Sequence, residues 1–190
     1  MFGEDEYSVS TCARETVDAL LPAASRVLGL EIVEGMAETV EAACLAASRC
    51  LESLQTVGFM GGKKVVWFRE VSFLSDTVVG KSETVKLRVE KLAALIDQGL
   101  PDGTVLVITS PKVDKRFALY KACKARGEIH EFAITEKPWQ AADEIRARVC
   151  EMLNETGIRM EEDALDSFLA RVGADGRQMA SELEKLAVYA

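Results

Sequence analysis

Gly103 to Ser110 reads G-T-V-L-V-I-T-S. A near-continuous apolar run between turn residues is the signature of a strand buried on both faces of a parallel sheet. Parallel strands cannot be joined by tight hairpins; each needs a crossover of about a dozen residues or more, usually a helix. Helical and strand periods alternate around this run as that rule requires. Glu6–Leu21 carries Val9, Cys12, Ala13, Val17, Leu20 and Leu21 at helical intervals. Leu30–Gly35 reads as a short strand and Ala37–Leu54 as an alanine-rich helix. Lys63–Val71 is a β-branched and aromatic strand. Ser82–Gly99 is an amphipathic helix ended by glycine, Val113–Gly127 another, and Glu128–Ile134 a last strand. The expected fold class is α/β, a parallel sheet with helices on both sides.

After Pro138 the pattern changes. Three helical segments follow, joined by glycine-containing turns, with no further strand. The expected organisation is an α/β domain over 1–136 and a small three-helix lid domain over 137–190. Ile145, Val149, Leu165, Phe168, Leu169, Leu183 and Leu186 recur at helical spacing and are the expected lid core. So small a domain buries little surface alone, so it is expected to pack on its neighbour.

Bulk properties exclude several classes. A net charge of −8 argues against a free-standing nucleic-acid binder. Five scattered cysteines form no C-x-x-C pair, and His130 is the single histidine, so no metal site is expected. The cysteines read as small core residues of a reducing cytoplasm. No apolar run of about 18 residues occurs, which points to a cytoplasmic protein without membrane contact.

Gly80-Lys81-Ser82 looks like the end of a phosphate-binding loop. That motif needs a glycine five residues before Gly80, and Ser75 stands there. A loop followed by a helix capped by Ser82 explains the stretch. A parallel α/β domain followed by a helical lid is also the architecture of AAA+ ATPases, whose phosphate loop follows the first strand. Here that place holds Gly3 to Ser10, G-E-D-E-Y-S-V-S. Gly3 fits the first glycine, but Ser8-Val9-Ser10 stands where Gly-Lys-Ser/Thr belongs. Glu4, Asp5 and Glu6 would repel phosphate. The third strand ends in Arg69-Glu70 instead of a magnesium-binding acid pair. No nucleotide, metal or other cofactor is expected.

Four pieces in order, F-G-E-D-E-Y (2–7), G-F-M-G-G-K-K-V-V-W-F (58–68), V-L-V-I-T-S-P-K-V-D-K-R-F-A-L-Y-K-A-C-K-A-R-G (105–127) and A-L-D-S-F-L-A-R-V-G-A-D-G-R-Q-M-A-S-E-L-E-K-L-A-V-Y-A (164–190), closely resemble the delta subunit of the bacterial DNA polymerase III clamp loader. The resemblance implies an AAA+-like fold without ATPase activity, in a subunit that opens the ring-shaped sliding clamp during DNA replication. It implies no enzyme by itself, but a part of a DNA-directed DNA polymerase holoenzyme. The implied partners are the sliding clamp (beta subunit), other clamp-loader subunits through a C-terminal collar domain absent here, and DNA only indirectly or weakly.

In that family a hydrophobic pair at a helix tip enters a pocket on the clamp. The matching pair is Phe59-Met60, among Gly58, Gly61 and Gly62, with Leu54 and Val57 extending the apolar face. Phe is a good pocket anchor and Met fills irregular grooves. The alternative for Phe59 is a place under the sheet. Lys63 and Lys64 are candidates for clamp-rim acids. Lys112, Lys115 and Arg116, with Lys121, Lys124 and Arg126, form a basic set that could face DNA phosphates or simply water. Trp67 and Trp139 read as packing residues. No catalytic Ser, Cys or carboxylate pair is found. Two rival readings remain: a P-loop NTPase using Gly80-Lys81-Ser82, and a generic α/β scaffold domain.

Overall fold

The fold is taken from a computed structural model, whose described residues are 1–56, 58, 62–133, 138–173 and 175–189, less the side chains of 138–142, 144 and 155. The chain divides into two compact units, Met1–Ala133 and Ile134–Ala190.

The first unit runs β1 (Phe2–Gly3), α1 (Glu6–Leu20), a single 3-10 turn (Ala23–Ser25), α2 (Arg26–Gly29), β2 (Leu30–Glu34), α3 (Val40–Gln55), β3 (Lys64–Arg69), α4 (Glu83–Gln98), β4 (Thr104–Ile108), α5 (Ala118–Arg126) and β5 (Glu131–Phe132). All pairings are parallel: Leu30 opposite Val65, Lys64 opposite Thr104, and Phe2 opposite Glu131. A parallel bridge between Phe2 and Ser110 joins β1 to the end of β4. The resulting strand order is β2-β3-β4-β1-β5.

The centre is β3. Successive side chains of a strand point to opposite faces. Val66 and Phe68 enter a core with Ala43, Ala47, Cys50 and Leu54 of α3 and Val85, Val89 and Leu92 of α4. Val65 and Trp67 enter a second core with Ala13 and Val17 of α1, Leu21 and Val107. The small residues of α3 let that helix lie close to the sheet. On α4, Val85, Val89, Leu92, Ala93 and Ile96 make one buried stripe. Gly99 ends α4 at φ 103°, its amide donating to the Leu95 and Ile96 carbonyls.

Two expectations need correction. The most buried strand is β3, enclosed from Lys64 to Phe68, whereas four of the five β4 residues are only half-buried. The neighbour of β4 is the two-residue β1, which leaves an apolar cleft of about 770 Å³ beside Val105, Leu106 and Ile108. The helix expected from Val113 begins only at Ala118. Asp114 turns the chain first: its carboxylate accepts from the Arg116 amide at 2.9 Å, and its carbonyl from the Phe117 amide at 3.0 Å. Such side-chain-to-backbone bonds compete with helix.

The second unit contains α6 (Pro138–Thr156), α7 (Glu162–Val172) and α8 (Gly176–Tyr189). Proline opens α6, a position where its missing N–H costs nothing. Val149, Met152, Leu153, Leu165, Phe168, Met179 and Leu183 are buried. Ile145 and Leu169 are half-buried. Leu186 is 39% exposed, so it lies outside this core, contrary to expectation. Arg146 of α6 ties to Asp166 of α7 at 2.5 Å.

Candidate functional site

The place where an ATPase would grip phosphate is occupied by the chain itself. Gly3 ends β1, and a Cβ there would stand 1.8 Å from the Phe132 carbonyl oxygen. Glycine is therefore required for β1 to approach β5. Asp5 is the N-cap of α1; its carboxylate accepts from the Ser8 amide at 3.2 Å and the Ser8 hydroxyl at 2.7 Å. Ser8, Val9 and Ser10 lie inside the helix, Val9 buried and the Ser10 hydroxyl donating to the Tyr7 carbonyl at 2.9 Å. At the end of β3, Arg69 is bound by Glu34 through two bonds, Nη2–Oε1 at 2.5 Å and Nε–Oε2 at 3.1 Å. Glu70 follows at φ 54°, its amide donating to Thr109 Oγ1 at 3.0 Å.

The Gly80-Lys81-Ser82 stretch is no phosphate cradle either. The Gly80 amide donates to Thr77 Oγ1 and the Lys81 amide to the Thr77 carbonyl. Lys81 reaches Asp76 at 3.2 Å. Ser82 occupies the N-cap position of α4, but its side chain makes no capping bond and lies 3.1 Å from Thr84 Oγ1 instead.

Phe59, Met60 and Val57 lie outside the described residues, as does Gly61. What is described is the base of their segment. The last turn of α3 ends at the C-cap Thr56, whose amide donates to the Glu52 carbonyl. A Cβ on Gly58 would stand 2.4 Å from the Gly62 carbonyl oxygen. Gly58 and Gly62 thus approach each other closely, as a narrow neck just after α3. The Lys64 amide then donates to the Gly103 carbonyl at 2.9 Å, fixing the start of β3.

Lys64 was expected at a clamp rim; instead its side chain is only 8% exposed. Its ammonium donates to Thr56 Oγ1 at 2.6 Å, the Ser53 carbonyl at 2.7 Å and Glu31 Oε2 at 2.8 Å. Ser53 Oγ donates to the other Glu31 oxygen at 2.5 Å. Burial alone would raise the Glu31 carboxyl, but the hydrogen bonds from Lys64 and Ser53 and the Lys64 charge outweigh it and hold it below the ordinary value. Burial, helped by the Glu31 charge, pushes the neighbouring Cys50 thiol up to about 12, which makes it an inert core residue. Leu54 is fully enclosed in the α3–sheet core and has no face to offer a partner, which corrects its expected place on the apolar tip. Sequence alone held the signal, because Ala43, Ala47, Cys50 and Leu54 form a single helical stripe.

A family model described as DNA polymerase III, delta subunit, matches residues 1–132. The chain belongs to the DNA polymerase III delta subunit family. Among solved structures, the Bacillus subtilis DNA clamp loader delta protein, YqeN, is similar in fold with a TM-score of 0.67 at 18% identity. The match covers 99% of this chain and 52% of that one, so the chain spans about half the length of its solved relative. No curated protein matches significantly. The AAA+-like parallel fold expected from sequence is the fold found.

In this delta-family chain the basic set does not form one helix face. Lys115 and Arg116 lie in the turn before α5, paired with Glu131 at 2.7 Å and Asp114 at 2.6 Å. Hydrogen bonds from the Arg116 side chain and amide hold the Asp114 carboxyl down at about 2. Lys112 lies in the same turn region, its carbonyl accepting from Ser110 Oγ at 2.8 Å. Arg126 donates to the Asp97 carbonyl at 2.5 Å. Trp67 is a core residue whose indole N–H points to Thr109 Oγ1 at 3.4 Å. The Trp139 side chain lies outside the described residues. Among the described residues no helix is long and apolar enough to cross a membrane, and no cluster of metal ligands occurs.

Proposed function

We propose that this chain is the part of a clamp-loader delta subunit that grips a ring-shaped sliding clamp. Phe59 and Met60 are its anchors, and Val57 adjoins them. The carrying observation is the glycine neck directly after α3. Its glycines bracket a large apolar pair while adding no side chain for that pair to pack against. Family membership supports the class of partner. Opening follows from differential binding: contacts available only on the open ring shift its equilibrium toward open. The self-capped entry to α1 supports a subunit that opens the ring without hydrolysing ATP, leaving nucleotide to partner subunits. Any DNA contact through Lys112, Lys115 and Arg116 is weak and indirect, because phosphates would compete with Glu131 and Asp114 for two of these cations.

The test is paired: affinity for the sliding clamp and thermal unfolding of Phe59→Ala/Met60→Ala. Full burial is worth roughly 1.5–3 kcal/mol per side chain. Losing both removes about 3–6 kcal/mol before non-additivity, weakening binding at least about a hundredfold. Melting is expected to stay unchanged. Unchanged binding would remove this site, and a collapsed melting temperature would place the pair in the core.

A further inference from the structure

The apolar cleft beside β4 lies between two strand edges. Successive residues of a strand direct their backbone N–H and C=O groups to opposite neighbours. Along β4 and its flanks the odd-numbered residues serve β3. The Gly103 carbonyl accepts from the Lys64 amide at 2.9 Å, and the Thr109 amide donates to the Phe68 carbonyl at 3.0 Å. The even-numbered residues face β1. The Ser110 amide donates to the Met1 carbonyl at 3.2 Å, and the Ile108 carbonyl accepts from the Met1 nitrogen at 2.9 Å. The same alternation turns the Ile108 amide and both backbone groups of Leu106 toward the cleft, where no bond among the described residues meets them.

The opposite wall is alike. The Phe2 amide donates to the His130 carbonyl at 2.9 Å. The His130 amide therefore points the same way, and His130 lines the cleft. Between the walls lies β1, which meets both. At a strand spacing of about 4.8 Å the walls stand about 9.6 Å apart there, room for one strand. From Ile108 back to Thr104 the β4 edge runs about 13 Å, at about 3.3 Å per residue. The apolar lining, with Leu20, Ile96, Leu100, Phe117 and Leu119, suits many apolar molecules. Only an extended backbone also offers N–H and C=O groups at the ladder spacing of both walls.

We propose that this cleft is the seat of one extended strand, about four apolar residues long, which runs parallel to β4 and leads directly into β1. Its source is backbone joined to Met1 in the same polypeptide. Met1 already sits in ladder register with Ile108 and Ser110, so a joined segment enters without a turn. It also avoids the association cost that a separate peptide meets. Seated between β4 and β5 it is an interior parallel strand, so it is apolar on both faces and free of proline. It covers an edge that would otherwise be a template for unwanted pairing. The inference stands apart from the clamp-binding reading.

Amide hydrogen exchange tests the seat in the 190-residue chain first. Leu106, Ile108 and His130 are expected to exchange at least about tenfold faster than Val105 and Val107, whose amides face β3. Equal protection overturns the proposal, because the edge would already be paired. Two extensions are then joined ahead of Met1, Val-Ile-Val-Val and Gly-Ser-Gly-Ser. The apolar one is expected to slow Leu106, Ile108 and His130 about tenfold or more relative to the other, and to raise the melting temperature. Unchanged exchange overturns the proposal. Val-Ile-Pro-Val separates pairing from filling, since proline lacks the N–H. It is expected to lose the slowing, and equal slowing would mark apolar filling and sink the strand. If the apolar extension aggregates, Thr-Val-Thr-Val replaces it with the same expectations. Free, end-blocked Thr-Val-Thr-Val at millimolar concentration is expected to give no slowing. Protection equal to that of the joined segment would assign the seat to a separate partner and overturn its source in this polypeptide.

Discussion

The Asp5 carboxylate holds Ser8 twice, at the amide and at the hydroxyl, and so places a negative charge at the entrance of α1. A phosphate offered the same amides would have to displace a carboxylate already bonded there. Calorimetry with millimolar ATP and magnesium is therefore expected to show no saturable heat. A stoichiometric, magnesium-dependent isotherm would falsify the self-capped reading. Asp5→Ala is expected to lower stability by about 0.5–2 kcal/mol, the usual loss for an N-cap, without creating ATP binding.

Glu31 gives a signed pH effect. Its carboxyl titrates lower in the folded chain than the ordinary value of 4.5. A depressed carboxyl stabilises the fold above its unfolded value, and that contribution disappears as pH falls through the folded value. Wild type is thus expected to lose stability below about pH 4.5 in part through this group. Glu31→Gln has no such titration. The gap between the two melting temperatures should narrow as pH is lowered from about 6 to about 3. A constant gap across that range would show that the Lys64–Glu31 pair contributes no linkage.

Leu183 and Leu186 separate the inside of the helical unit from its surface. Leu183 is fully enclosed, while Leu186 is 39% exposed. Leu183→Ala should cost about 2–5 kcal/mol through lost burial and a cavity. Leu186→Ala should cost no more than about 0.5 kcal/mol. Chemical denaturation of both variants checks the contrast, and equal losses would contradict the packing described for α8.

Gly58→Ala tests the neck. A methyl 2.4 Å from the Gly62 carbonyl oxygen forces the two sides apart. Clamp affinity is expected to fall about tenfold or more. The buried stripes of α3 and α4 are untouched, so melting is expected to change little. Undiminished affinity would show that the neck does not shape the docking segment.

Much of the first unit was legible because its cues are local. The α4 stripe and the Gly99 stop are read directly from residue spacing. The places where reading failed have two kinds of cause. Asp114 turns the chain through side-chain bonds to its own backbone, which apolar spacing does not register. The half-exposure of β4 depends on its neighbour in space, the two-residue β1, and no feature within Gly103–Ser110 records that. Lys64 is different, since its inward direction was available. Lys64, Val66 and Phe68 alternate onto one face of β3, and that face meets α3. Charge alone pointed it outward. Leu54 was assigned by its nearness to Phe59 when its helical stripe pointed inward.

The two-residue β1 also has a meaning in time. Phe2 bonds to β5 beside Glu131, so almost the whole α/β unit lies between these partners in sequence. Pairing so distant in the chain is slow to form and comes late. Translation proceeds at about 5–20 residues per second, so Phe2 waits roughly 6 to 26 seconds for Glu131 to be synthesised. During growth on the ribosome, β2, β3 and β4 can zip together in order, while Phe2, made before all three, is among the last to take its place.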